Sequence, residues 1–242
     1  MSRKDKKNKM IKYLAFISFA LVTTVAIAQS NSKLEDKKNA RISYVIKGGL
    51  NLSSMLIKSD EGTRNEGLNS KTGLHFGMTA ECPVSESVAF ETGLLLSGKG
   101  FKTNSKDLIN GDIYESNSTY NLLYLEIPLT AKTYFKVGQS KIFGGIGPYI
   151  GLGLSGKWKD ESIISGKTES HEHAINLGSG TADEFKRLDY GLTAGAGIEI
   201  SSIQIGMTYN LGFANISTFT DNGVKKKNRV LGLSVGYKFG RN

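Results

Sequence analysis

Cysteine, proline and histidine are scarce in this sequence of 242 residues, which contains one cysteine, three prolines and three histidines. The single cysteine, Cys82, excludes an intramolecular disulfide framework and a zinc site built from cysteines. Beyond the N-terminus, no run approaches the roughly 18 continuous apolar residues that indicate a transmembrane helix. Few prolines beside 29 glycines are typical of a β-protein, so we expect an extended, strand-rich fold.

The N-terminus predicts a cleaved signal peptide over residues 1–28. Six basic residues precede an apolar run from Tyr13 to Ala28, which ends on the small-x-small sequence Ala26-Ile27-Ala28. The run of 16 residues is shorter than the roughly 20 that a spanning helix needs, which disfavours a single-pass membrane anchor. Residues 29–41 are expected to form a short periplasmic lead-in without a domain of its own.

The basic charge of the chain belongs largely to this targeting segment. The whole sequence has 31 basic and 22 acidic residues, and residues 1–28 hold six of the basic and one of the acidic ones. The remainder carries 25 basic against 21 acidic residues. This small excess does not indicate a nucleic-acid partner.

The exported part alternates apolar residues with small or polar ones, most strictly between Ile203 and Phe213 and between Leu188 and Ile200. Alternation with period two predicts strands that have one apolar and one polar face. We count eight such segments, at residues 42–53, 73–82, 88–101, 120–135, 142–158, 188–200, 203–215 and 230–239.

The links between the eight segments alternate in length. Three are short (83–87, 136–141, 201–202) and four are long and polar (54–72, 102–119, 159–187, 216–229). A soluble sandwich has no reason to sort its loops in this way, whereas an up-and-down membrane barrel has short turns at one end and long loops at the other. We predict an all-β fold, an eight-stranded antiparallel up-and-down transmembrane β-barrel of residues 42–240, located in the outer membrane.

Aromatic residues near the predicted strand ends support a membrane location. Strand parity directs them outward at two levels, as expected for aromatic girdles at the two lipid interfaces. The first level contains Tyr44, Phe90, Phe135, Tyr237 and Phe239, and the second contains Trp158, Tyr190 and Phe213.

Three runs of the chain resemble the PorT-type outer-membrane β-barrel proteins of Gram-negative bacteria: YLEIPLTAK at 124–132, GPYIGLGLSG at 147–156 and DYGLTAGAGIE at 189–199. The resemblance extends over the exported chain and implies a small barrel of eight strands. It implies little about activity, although PorT itself is associated with the secretion and maturation of exported proteins. The chain departs from many outer-membrane proteins because its last aromatic residue, Phe239, is followed by three more residues.

Charged residues of both signs are expected inside the barrel. Eight strands leave an interior just wide enough for side chains, where unpaired charges would be costly, so we expect pairing across the lumen. Two functions remain open for this set, a plug that fixes strand register and a narrow path for ions or water, with Glu126 and Lys132 the residues of most interest. By parity the inward charges are Lys47, Glu81, Glu91, Lys99, Glu126, Lys132, Asp189, Glu199 and Lys238.

The three histidines suggest two further sites, and neither is favoured. His171 and His173 share a face only if their segment is extended, and nothing nearby completes a metal site, so a solvated loop is expected. His75 with Ser97 or Ser155 is the one candidate for Ser-His chemistry, and no nucleophile motif accompanies it. We therefore expect no metal, no cofactor and no catalysis.

A basic run in the last long loop is a candidate contact with lipopolysaccharide, because phosphate groups are abundant at the outer surface. It consists of Lys225, Lys226, Lys227 and Arg229. Overall, the sequence predicts a monomeric, non-catalytic barrel with a structural or interaction role exerted through its long outer loops, chiefly 159–187. The alternatives are a narrow-pore channel and a component that assists protein secretion with other envelope proteins, followed by a lipid-modifying enzyme.

Overall fold

A computed structural model describes residues 42–60, 62–64, 67–109, 112–164, 167–180 and 182–240. The predicted signal peptide and lead-in lie outside these residues. No helix in the described part is long and apolar enough to cross a membrane. Its strands are β1 (Ser43–Ser59), β2 (Gly62–Arg64), β3 (Leu68–Asn69), β4 (Lys71–Pro83), β5 (Val88–Ile109), β6 (Asp112–Val137), β7 (Ser140–Ile164), β8 (Lys167–Ala174), β9 (Leu188–Ile200), β10 (Ile203–Gly212) and β11 (Lys225–Phe239).

Eight of these strands form a closed antiparallel ring. They are hydrogen-bonded in the order β11-β10-β9-β7-β6-β5-β4-β1, and β11 also pairs with β1. That last ladder runs from Tyr44↔Phe239 to Lys58↔Lys225, so both ends of the sheet are joined and neither is left as an open edge. The short strands β2, β3 and β8 are attached outside this ring. The predicted all-β, up-and-down architecture is confirmed.

The short and long connections lie at opposite ends of the ring, as predicted. Residues 84–87, 138–139 and 201–202 link consecutive ring strands at one end, which we call the short-turn end. Gly138 has a φ of 59°, the left-handed conformation that a two-residue hairpin turn requires. Every other link lies at the opposite, long-loop end.

The outer surface of the ring carries the apolar face of each strand. Exposed aliphatic side chains cover it, and seven of the eight predicted girdle aromatics are among the exposed residues. Trp158 is the exception, and its predicted outward direction is wrong. The pairing of β6 with β7 shifts register at Leu123/Tyr124, and this bulge reverses the parity of β7 beyond Leu154. Trp158 therefore turns inward, opposite Tyr120.

Two predicted loops continue as paired strands beyond the apolar band. Residues 102–119, predicted as a loop, extend the β5–β6 hairpin to the pair Ile109↔Asp112. Similarly, β7 continues to Ile164 and pairs with β8, from Lys157↔Ala174 to Ile164↔Lys167. These segments leave the lipid, so neither face needs to be apolar and the alternation disappears while the backbone pairing persists. We call them, 102–119 together with 159–174, the outer extension.

Side chains fill the ring interior so tightly that some positions admit only glycine. A Cβ placed on Gly197 would lie 2.4 Å from Cζ of Phe143 and 2.3 Å from the Ile205 carbonyl oxygen. A Cβ placed on Gly144, which faces outward, would have its nearest contact at 3.9 Å.

We expect Gly197→Val to lower the free energy of unfolding by roughly 1–3 kcal/mol, because the added methyl groups overpack the interior. Gly144→Val is the matched control and should change it by no more than about 0.5 kcal/mol, as for a surface substitution. Urea unfolding in lipid vesicles, followed by fluorescence of the single tryptophan, measures both. Equal destabilisation by the two variants would contradict a tightly filled interior.

Candidate functional site

A chain of ion pairs crosses the lumen near the short-turn end. Its members are linked in the order Lys47–Glu91–Lys132–Glu81–Lys238–Glu199–Lys141. Lys132 Nζ lies 2.5 Å from Glu81 Oε1 and 3.0 Å from Glu91 Oε2. We call these seven residues the short-turn network; four are cationic and three anionic.

Lys132 bridges two carboxylates that the strand register places opposite one another. Glu81 on β4 and Glu91 on β5 are direct cross-strand partners, an arrangement that is unfavourable for two carboxylates. The Lys132 ammonium contacts both, and the Tyr134 hydroxyl donates a further hydrogen bond of 2.7 Å to Glu81. Gln204 on β10 donates to Glu81 and to Glu199. Side chains from all eight ring strands thus meet at this level.

A second charged group, which we call the Lys99 cluster, lies nearer the long-loop end. Lys99 is fully buried, with its Nζ 2.5 Å from Glu126 Oε1 and 2.7 Å from Asp189 Oδ2. Asn228 and Tyr149 donate hydrogen bonds to the same Asp189 oxygen. The Lys99 ammonium also lies 4.8 Å from the ring centroids of Tyr124 and Tyr149, a favourable cation–π geometry.

Residues after β8 and after β10 fold back into the mouth of the ring above the Lys99 cluster. The Gly153 amide donates to the Arg187 carbonyl, and the Lys186 amide donates to the Ile216 carbonyl. Apolar side chains from these segments pack with side chains of the ring. The resulting apolar plug consists of Met55, Phe101, Leu122, Tyr124, Ile175, Leu177, Phe185, Ala214 and Ile216. Half of the predicted long loop 159–187 therefore closes the barrel mouth.

A small cavity of about 100 Å³ lies between the two charged groups. Lys47, Glu91 and Lys132 line it from one side, and Glu126 and Tyr149 from the other. Apolar side chains form much of the rest of its wall. Passing along the lumen from the short-turn end, one meets the short-turn network, the cavity, the Lys99 cluster and the apolar plug.

All nine charges that the sequence directs inward lie on the inner face, and each takes part in an ion pair. Glu126 and Lys132, considered together in the sequence, belong to different groups. Sequence reasoning missed Lys141, because it was assigned to a turn, and also the neutral partners Tyr134, Gln204 and Asn228. Strand parity directs Tyr134 and Gln204 inward, so for these two the signal was present but was read only for charged residues, whereas Asn228 lay in the predicted link 216–229.

The histidines do not assemble a reactive site in the described residues. His75 and Ser97 are cross-strand partners, but the Asn51 carboxamide lies between them, 2.8 Å from His75 Nδ1 and 3.1 Å from Ser97 Oγ. Ser155 faces outward, opposite Leu123. His171 and His173 share one face of β8, yet no group of three or more potential ligands in the described part could hold a metal ion.

We expect Lys132→Met to lower the free energy of unfolding by roughly 3–5 kcal/mol, because it leaves two buried carboxylates opposite one another without their shared cation. Adding Glu91→Gln should restore part of the loss by removing the repulsion. Lys106→Met is the control, since its ion pair with Glu115 is solvent-exposed, and it should have no measurable effect. Urea unfolding in vesicles compares the three proteins, and a double variant no more stable than Lys132→Met would contradict the bridging role.

Solved structures with a similar fold are outer-membrane proteins of low sequence identity. Ail, the attachment invasion locus protein of Yersinia pestis, is 15% identical with a TM-score of 0.33, over 81% of this chain and 98% of that one. Neisserial surface protein A is 12% identical with a TM-score of 0.38, over 82% and 97%. The outer membrane protease OmpT of Escherichia coli is 8% identical with a TM-score of 0.34, over 86% and 99%.

No curated protein matches the sequence. A family model does, and its match covers most of the chain. The model of the outer membrane protein beta-barrel domain matches residues 27–218, a range that contains ten of the eleven described strands completely. This chain belongs to the outer membrane protein β-barrel domain family.

Proposed function

We propose that this protein is a closed, non-conducting barrel of the outer membrane with a structural or interaction role, and that its outer extension carries the interactions. The observation that supports this most directly is the filled lumen. Ions entering it would have to disrupt two networks of buried ion pairs and then pass an apolar plug.

Each barrier opposes conduction for a separate physical reason. The short-turn network and the Lys99 cluster hold their charges in direct contact, and opening either would leave buried charges without partners. The apolar plug offers a passing ion no group to replace its water, which is how hydrophobic constrictions close channels. A narrow pore, the alternative function, would need all three to open together.

The outer extension is suited to binding because it is a paired sheet instead of a set of loose loops. From Lys102 to Ile109, β5 continues for roughly 23 Å at about 3.3 Å per residue. On its inner face, Ser116 and Ser118 both donate hydrogen bonds to Asp160 Oδ1, at 2.7 and 2.6 Å. A sheet held in this way presents polar side chains in fixed positions, which lowers the entropic cost of binding.

A role in protein secretion, which the PorT resemblance raises, has weaker support. The three resembling runs lie on the ring strands β6, β7 and β9, and they carry Glu126, Lys132, Asp189 and Glu199 of the lumenal networks. Such residues build the wall and interior of the barrel. The resemblance therefore supports a shared architecture more than a shared partner.

Refolded residues 29–242 should show no reproducible conductance in a planar bilayer, because the lumen is blocked at three levels. Heat-modifiable migration on a gel first establishes that the barrel is folded, and a known porin at the same protein-to-lipid ratio is the positive control. Steady, ion-selective current steps from the folded protein would refute the proposal and make the lumenal charges the functional site.

The interaction role predicts contacts at the outer extension in the intact cell envelope. A photocrosslinking amino acid at Asn117, an exposed position of the extension, should give an adduct with a defined protein. The same amino acid at Leu94, which is exposed on the lipid-facing surface, is the matched control and should give none. Adducts from Leu94 alone, or identical adducts from both positions, would contradict a binding role of the extension.

A further inference from the structure

The outer face of β11 changes from apolar to basic at one point. From Phe239 to Leu231 every outward residue is apolar, and the next three outward positions are Arg229, Lys227 and Lys225. Lys58 on β1 lies directly opposite Lys225. We call these four residues, Lys58, Lys225, Lys227 and Arg229, the basic stripe.

On β11 the stripe begins where the apolar outward residues of that strand end. Leu231 lies in a wholly apolar row with Leu52 and Tyr209, whereas Arg229, one row further, lies between Ser54 and Leu211, and Lys227 lies opposite Leu56. Successive rows on one face are roughly 6.6 Å apart, two residues of an extended strand. Arg229 is therefore at the level where the hydrocarbon region meets the headgroups, and the two lysines of β11 rise beyond it.

The cations of the stripe have no acidic partner in the described part of the chain. Three exposed lysines on or beside the outer extension do have one: Lys106 with Glu115, Lys157 with Glu172 and Lys159 with Glu161. The acids in the loops beside the stripe, Asp60 and Asp221, form no ion pair with it.

The juxtaposition of Lys58 and Lys225 is unfavourable unless an anion lies between them. Inside the barrel the equivalent problem, Glu81 opposite Glu91, is solved by the bridging cation Lys132. On the outer face no described residue provides the counter-charge. The missing counter-ion would have to come from outside the protein.

Two hydrogen bonds hold the Arg229 guanidinium in a fixed position. Its Nη1 donates to the carbonyl oxygens of Gly212 and Asn228, at 2.8 and 3.0 Å. Both of its hydrogen bonds with described residues use this one nitrogen, which leaves Nε–H and the Nη2 hydrogens for an external acceptor. A guanidinium held in this way is suited to bind two oxygens of a phosphate group.

We propose that the basic stripe binds the phosphate groups of a phosphorylated glycolipid in the outer leaflet. The ligand is a lipid because the stripe continues the lipid-facing surface of β11, so a bound headgroup would have its acyl chains against Leu231 and its neighbours. Lys226 is not part of the site. It faces the barrel interior, with its Nζ 5.0 Å from the ring centroid of Phe185, and burial there lowers the pKa of its ammonium group.

The test measures binding of lipid A to the full exported protein, folded in a zwitterionic detergent, by native mass spectrometry. The triple variant K58Q/K225Q/K227Q should bind at least tenfold more weakly than the unsubstituted protein, and added salt should weaken the unsubstituted protein's binding. The control K106Q/K157Q/K159Q removes the same number of positive charges from acid-paired positions and should retain the affinity. Heat-modifiable migration of both variants shows that each is folded.

A second arm identifies the source of the phosphate. Dephosphorylated lipid A should bind no better to the unsubstituted protein than to K58Q/K225Q/K227Q, and inorganic phosphate at low millimolar concentration should not displace lipid A. Full displacement by inorganic phosphate would overturn the lipid assignment. An equal loss of affinity in the control variant would overturn the proposed site, since net charge alone would then explain binding.

Discussion

The pairing of charges inside a narrow lumen is the constraint on which the rest of this structure depends. Eight strands enclose a space that side chains alone can fill, so each inward charge needs a partner within contact distance. Seven of the eight ring strands contribute a charge to the short-turn network, from Lys47 on β1 to Lys238 on β11, and β10 contributes Gln204 beside it. A slip of one residue in any of these seven strands would move a charge to the lipid face. The network therefore fixes register as well as filling space.

The barrel is closed by different interactions at its two ends. Near the short turns, ion pairs occupy the lumen; at the long-loop end, Phe185, Ile216 and their neighbours exclude water. Five of the nine residues of the apolar plug lie on connections and the other four on ring strands, so the long connections help to seal the barrel. The proposed interaction role therefore falls to the outer surfaces, the lipid-facing wall and the outer extension.

The strands of the barrel wall were predictable because the lipid requires apolar residues and the lumen accepts polar ones at alternate positions. The bounds of β9, Leu188–Ile200, were predicted to the residue. Prediction failed beyond the apolar band, where a strand no longer needs one apolar face and one polar face. Beyond the apolar band both faces of a strand meet water or protein, so the β5–β6 hairpin lost its alternation and was read as a loop. The bulge at Leu123/Tyr124 had no sequence signal and reversed the direction predicted for Trp158.

Within the apolar band, the sequence by itself determined which residues face the lipid and which face the lumen, because side chains of a strand alternate with a period of two. It also determined the sorting of short turns and long loops. Only the tertiary structure decided which charges meet. Glu126 pairs with Lys99, and Lys99 meets Asp189 from 90 positions away, whereas Lys132, on the same strand as Glu126, pairs with Glu81 and Glu91. Such partners are selected by the stagger of strands around the ring, which no local pattern records.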